Sequence, residues 1–64
     1  MALSDWEKEQ IIEQLEIMSD ATRILVLASI EAFADWLADA LYYIYIKIKG
    51  ALKKLWKWLK KNLL

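Results

Sequence analysis

The sequence predicts an all-α fold on three observations. It has no proline and a single glycine, Gly50, to interrupt a helix. Good helix formers dominate, with Ala, Leu, Ile, Lys and Glu the commonest residues. Apolar side chains also recur at helical rather than strand spacing. Residues 42–49 (YYIYIKIK) alternate as a strand would, but they continue the helical pattern before them and have no turn to bring a second strand alongside. The expected architecture is a single domain of two to three amphipathic helices, about 4–18, 21–49 and 51–63. It folds as a helical hairpin or small bundle that self-associates, with one long kinked helix as the alternative.

The first helix has a start signal in Ser4 and Glu7, spaced as a capping box, and acidic residues in its first turn suit the helix dipole. Its inward face is Ile11, Ile12, Leu15 and Met18. Ser19 and Asp20 can cap a second helix, so a break is expected there. The central segment presents one stripe of Leu25, Val26, Ser29, Ile30, Phe33, Trp36, Leu37, Ala40, Ile44 and Ile48, in phase with the first helix at 100° per residue. Gly50 is expected to end or kink it. In the last helix Leu52, Leu55, Trp56, Trp58, Leu59 and Leu63 take one side of the wheel, and Lys53, Lys54, Lys57, Lys60 and Lys61 take the other.

Sixty-four residues bury only about 60% of the surface of the unfolded chain. A hydrophobic content of 59% is more than so small a core can shelter, so the surplus is expected to meet lipid, a partner or another copy. Net charge is zero but segregated. Up to residue 22 the chain carries Asp5, Glu7, Glu9, Glu13, Glu16 and Asp20 against Lys8 alone, whereas residues 47–64 carry Lys47, Lys49 and the five later lysines with no acid. The acidic helix is therefore expected to lie beside the basic one and mask it, or the basic end to address an anionic surface.

Without cysteine or histidine the chain has no disulfides, no soft metal ligands and no cysteine- or histidine-based catalysis. No enzyme activity and no cofactor are expected. Glu31, Asp35 and Asp39, four apart on one helical stripe, suit pairing with lysines or solvation better than a hard-cation site, because no loop ligands accompany them. Ser4, Ser19, Thr22 and Ser29 read as caps and packing residues.

Only residues 24–46 are long enough to span a bilayer, with Arg23 before them, Lys47 and Lys49 after, and Tyr42, Tyr43 and Tyr45 near one end. Three internal acids cost about 2.5–3.5 kcal/mol each, more than the roughly 3–6 kcal/mol that the Leu, Ile, Val and Phe residues return. A lone spanning helix is not expected. The N-terminus is acidic where a secretory leader is basic and then apolar. The expected location is a membrane surface, or outside the cell without a cleaved leader, and otherwise the cytoplasm.

Residues 53–61 (KKLWKWLKK) set lysines against tryptophan and leucine, the pattern of a helix lying in a membrane interface. The same pattern serves a helix whose apolar side is plain core, or one that docks in a protein groove. The absence of arginine there, with tryptophans facing away from the lysines, argues against nucleic acid. Together with Met1, the lack of cysteine and the several short amphipathic helices, residues 47–64 resemble leaderless bacteriocins, cysteine-free cationic peptides with a saposin-like helical fold. That resemblance implies permeabilisation of bacterial membranes, with Lys53, Lys54, Trp56, Lys57, Trp58, Lys60 and Lys61 in contact with lipid. Those peptides are cationic overall, whereas this chain is neutral.

Two functional classes follow. The first is a membrane-active helical protein whose partner is an anionic bilayer. The second is a soluble homo-oligomeric bundle, natural or designed, that acts as a scaffold or interaction module with Phe33, Trp36, Ala40 and Ile44 as the subunit seam.

Overall fold

Three serines start three helices by one device. Each sits in extended backbone and accepts, through its hydroxyl, the backbone N–H three residues on, which answers one of the donors a helix start leaves open. Ser4 opens α1 (Asp5–Glu16), Ser19 opens α2 (Asp20–Val26) and Ser29 opens α3 (Ile30–Ala40). At Ser4 the capping box is complete, with the Glu7 carboxylate accepting the Ser4 backbone N–H at 3.1 Å. The chain continues through α4 (Tyr42–Ile48), a 3-10 turn (Lys49–Ala51) and α5 (Leu52–Leu63). The computed structural model describes residues 4–64, and no strand occurs among them.

The protein is thus a small all-α bundle with the break expected at Ser19. The central segment differs from expectation. Residues 21–49 do not form one helix but three, interrupted at Leu27–Ser29 and again at Leu41. A straight 29-residue helix would run about 44 Å, whereas the longest dimension of the molecule is 30 Å. Folding back instead turns Leu27 and Leu41, the residues at the two breaks, into the core. Leu41, with φ −139° and ψ 62°, is both the last cap of α3 and the first of α4. Its N–H donates to the Leu37 carbonyl, while its own carbonyl accepts from the Ile44 and Tyr45 N–H groups, so the reversal leaves little backbone unpaired.

Gly50 does not act as a left-handed helix stop, since no glycine has positive φ. It lies in the 3-10 turn, and a Cβ placed on it would meet nothing within 4 Å. The change of direction there comes from Ile48 and Ala51, whose ψ angles of 7° and 17° depart from the helical value.

The core draws on every helix except α2: Ile11 and Leu15 from α1, Phe33 and Leu37 from α3, Ile44 and Ile48 from α4, and Leu55 and Leu59 from α5, with Leu27 and Leu41 between helices. α3 packs against α2, α4 and α5 and forms the axis of the bundle. Leu25, placed inward by the helical wheel, is 69% exposed, because the break after Leu27 resets the phase between α2 and α3.

Candidate functional site

The C-terminal half sets its charges outward by amphipathic logic. In α5, Leu55 and Leu59 are buried, and Leu52 and Leu63 pack half-buried at the core edge. Lys53, Lys54, Lys57 and Lys61 lie exposed on the opposite side. Lys47 and Lys49 are exposed as well, and no acid occurs after Asp39, so residues 40–64 carry only positive side-chain charge.

The two tryptophans of α5 have different situations. The half-buried Trp56 donates its indole N–H to the Leu27 carbonyl at 3.1 Å, and the Lys60 ammonium lies 3.9 Å from its ring centroid. It therefore ties α5 to the end of α2, a structural contact that the helical pattern of α5 alone did not disclose. Lys60, engaged over that ring and half-buried, belongs to the same structural pair. Trp58 is 39% exposed on the other flank of α5, with the Lys8 ammonium of α1 at 5.1 Å from its ring centroid.

α4 adds a patch that the sequence pattern presented as one end of a spanning helix. Leu41, Ile44 and Ile48 face inward, which leaves Tyr42, Tyr43 and Ile46 on the outer side, all exposed. Tyr42 packs against the half-buried Tyr45 with ring centroids 6.3 Å apart.

The acidic helix does not mask the basic one by ion pairing. Among the described residues the side-chain ion pairs are Glu7–Lys47, between α1 and α4, and Arg23–Asp20, within α2. The first holds its atoms 2.6 Å apart and joins positions forty residues apart. Glu7, 6% exposed, is the one buried charged side chain among the described residues. The hydrogen bond from Lys47, with that from the Ser4 backbone, holds its carboxyl below the ordinary glutamate value of 4.5. Glu31, Asp35 and Asp39 are exposed along the solvent edge of α3 with no lysine in ion-pair range, so they form a solvated stripe.

The seam expected from Phe33, Trp36, Ala40 and Ile44 does not exist as one surface. Phe33 and Ile44 are fully buried in the chain's own core, Trp36 is half-buried and stacked on Phe33 at 6.0 Å, and only Ala40 is exposed. The reason is again the break at Leu41, which turns Ile44 inward against α3.

Arg23 is a residue whose role the sequence did not disclose. Its guanidinium donates to the carbonyls of Leu15, Glu16 and Met18 at 2.8, 3.2 and 3.1 Å, and to the Asp20 carboxylate at 2.8 Å. It thereby collects carbonyls left open at the end of α1, a task suited to a planar fork of donors. It lies within α2, seven residues beyond Glu16, and no local pattern signals the contact. Beyond it lies a second apolar patch, in which Ile17, Ile24 and Leu25 are exposed, with Glu13, Glu16 and Asp20 nearby in the sequence.

No helix among the described residues is long and apolar enough to cross a membrane, and no cluster of acidic side chains among them is placed to hold a metal ion. The arrangement defines a small all-α bundle with one strongly basic half. No family model, curated protein or solved structure gives a significant match to the chain. Met1, part of the bacteriocin-like pattern, lies outside the described residues.

Proposed function

We propose that this chain is a membrane-surface-active helical protein that binds anionic bilayers through its basic C-terminal half and, in the manner of the bacteriocins it resembles, perturbs them. The observation that carries this reading is the acid-free stretch of residues 40–64, in which Lys49, Lys53, Lys54, Lys57 and Lys61 are exposed outside any ion pair and Tyr42, Tyr43 and Trp58 are exposed as well. Each lysine near an anionic surface contributes about 1 kcal/mol. The five unpaired lysines contribute about 5 kcal/mol in this way, and apolar contacts add the rest needed for micromolar binding. Lys53, Lys54, Lys57 and Lys61 of α5 meet the headgroups, joined by Trp58 from its exposed flank. Trp56 and Lys60 keep α5 on the bundle.

Co-sedimentation with vesicles of phosphatidylglycerol and phosphatidylcholine, alongside release of an entrapped dye, tests this. Micromolar protein is expected to bind and cause leakage. Replacing Lys53 and Lys57 by glutamine should weaken binding by about thirty-fold, the equivalent of about 2 kcal/mol. Absence of binding to anionic vesicles defeats the proposal.

Self-association is the second reading, and the specific observation behind it is the patch of Ile17, Ile24 and Leu25, the first and last being 75% and 69% exposed. A discrete oligomer in plain buffer that dissociates on Leu25→Ser and ignores lipid would favour it over the first.

A further inference from the structure

We infer that the outer face of α4, formed by Tyr42, Tyr43 and Ile46, is the apolar anchor that enters an anionic bilayer while the bundle stays closed. The inference rests on the membrane reading above and names a different set of residues for the apolar part of the contact. The alternative, insertion of α5 by its own apolar side, would require lifting Leu55 and Leu59 out of the core and breaking the Trp56 bond to the Leu27 carbonyl. Burial of each leucine stabilises the fold by roughly its transfer free energy, so an anchor already at the surface reaches lipid without that loss.

α4 supplies such an anchor. Its inner residues, Leu41, Ile44 and Ile48, hold it on α3, and the opposite side carries Tyr42 at 61%, Tyr43 at 51% and Ile46 at 45% exposure. Tyrosine suits this depth, because its ring enters the apolar boundary and its hydroxyl remains among the headgroups. The charge around it is complementary to an anionic surface. Lys47 flanks the face within α4 and Lys49 follows it in the 3-10 turn, both exposed, while the nearest acid along the chain, the exposed Asp39, lies in α3 before the break at Leu41. Lys47 is committed to Glu7 yet leaves half of its side chain in solvent, so the ion pair need not break for the face to approach lipid.

The other exposed apolar patch lacks this setting. Ile17, Ile24 and Leu25 are exposed and lie close in the sequence to Glu13, Glu16 and Asp20, and the cation in that stretch, Arg23, is occupied by backbone carbonyls at and after the end of α1 and by Asp20. An anionic bilayer repels that stretch and attracts the one around α4. The two patches therefore differ in partner although both are apolar.

The test uses the full chain with vesicles of phosphatidylglycerol and phosphatidylcholine. Replacing Tyr42, Tyr43 and Ile46 together by serine should weaken binding by about tenfold or more, from lost apolar burial. Unchanged helicity and unfolding midpoint would show that the variant folds. Because the chain has no native cysteine, an environment-sensitive dye can be placed at one site by Tyr43→Cys and at another by Leu25→Cys. On vesicles the first is expected to shift to the blue and the second to remain as in buffer.

Wild-type binding with an undiminished triple variant overturns the anchor and leaves the lysine-driven reading intact. A blue shift at position 25 alone assigns the contact to the α1–α2 patch and likewise overturns it. No wild-type binding removes both proposals. A lipid-independent dimer that the triple variant abolishes would assign the face to a second copy of the chain.

Discussion

The α1–α2 end and the α4–α5 end of this bundle are built with similar amounts of helix, yet they leave different surfaces behind. At the first, Arg23 closes α1 and is consumed in doing so, and Ile17, Ile24 and Leu25 stand exposed in a stretch of chain that also carries Glu13, Glu16 and Asp20. At the second, Trp56 closes α2 through a neutral indole N–H, and most of the lysines remain free to face outward beside Tyr42 and Tyr43. Both ends contain a side chain that stitches a helix terminus. At the basic end two lysines are engaged, Lys60 over the Trp56 ring and Lys47 with Glu7, and the other five stay outside both contacts. Exposed apolar area alone does not identify a binding partner, and the charge left unpaired around it does.

The total exposed area sharpens this point. At 4233 Å² it is close to the roughly 4,300 Å² that size scaling gives for a folded monomer of this length. The chain therefore closes a core of its own, and its surplus apolar residues appear as local patches instead of an open seam.

The largest change expected from a single substitution joins the two ends rather than separating them. Phe33 of α3 is fully buried, and Phe33→Ala should cost about 3–5 kcal/mol, enough to unfold much of so small a domain in denaturant titrations. Loss of helicity throughout is the expected result, because α3 is the axis for both halves.

Separating the ends requires their stitches. Arg23→Met removes the donors to two α1 carbonyls and to that of Met18 just after the helix, and should destabilise by about 2 kcal/mol, with hydrogen exchange accelerated in α1 before α4 and α5. Trp56→Phe leaves the Leu27 carbonyl without the indole and should cost about 1–2 kcal/mol, expressed between α2 and α5. If the two variants give the same exchange pattern, the ends are not separate units.

A smaller, pH-dependent effect belongs to Glu7. Its carboxyl titrates lower in the folded chain than in the unfolded one, so its contribution is fully present when the pH is well above 4.5. That contribution is lost as the pH falls through the depressed folded value. Thermal midpoints should therefore fall on acidification below 4.5, and Glu7→Gln should lower the neutral-pH midpoint while flattening that part of the profile. The smallest effect is Gly50→Ala, expected to raise stability by about 0.4–1 kcal/mol, since the turn needs no positive φ and a Cβ meets open space.

The parts of the fold written in local chemistry were legible. Ser4 with Glu7, and Ser19 with its acidic neighbour, mark helix starts through interactions three residues long, and α5 declares its faces by a clean alternation of leucine and lysine. Ser29 marked a start by the same chemistry, with Glu31 in the first turn, but the apolar stripe runs unbroken across it and argued for continuity. Leu41 carried no local signal, having neither a cap nor a glycine or proline beside it. The chain bends there because the reversal places Leu41 and Ile44 on α3, a gain visible only in three dimensions.

The same limit applied to the candidate site. Helical periodicity placed the exposed lysines of α5 correctly but grouped Trp56 with Trp58, and only the meeting of α5 with Leu27 distinguishes them. It likewise assigned Phe33 and Ile44 to a seam, because a wheel drawn through Leu41 cannot report that the axis turns.

Binding of the intact chain to vesicles as a function of ionic strength tests the central claim most directly. Attraction between an acid-free lysine surface and anionic headgroups should give binding to phosphatidylglycerol vesicles at low salt. That binding should decline steeply toward about 1 M salt, where the screening length falls to about 3 Å, and phosphatidylcholine alone should bind weakly throughout. Equal binding to both lipids at every salt concentration, or none to either, would contradict the account.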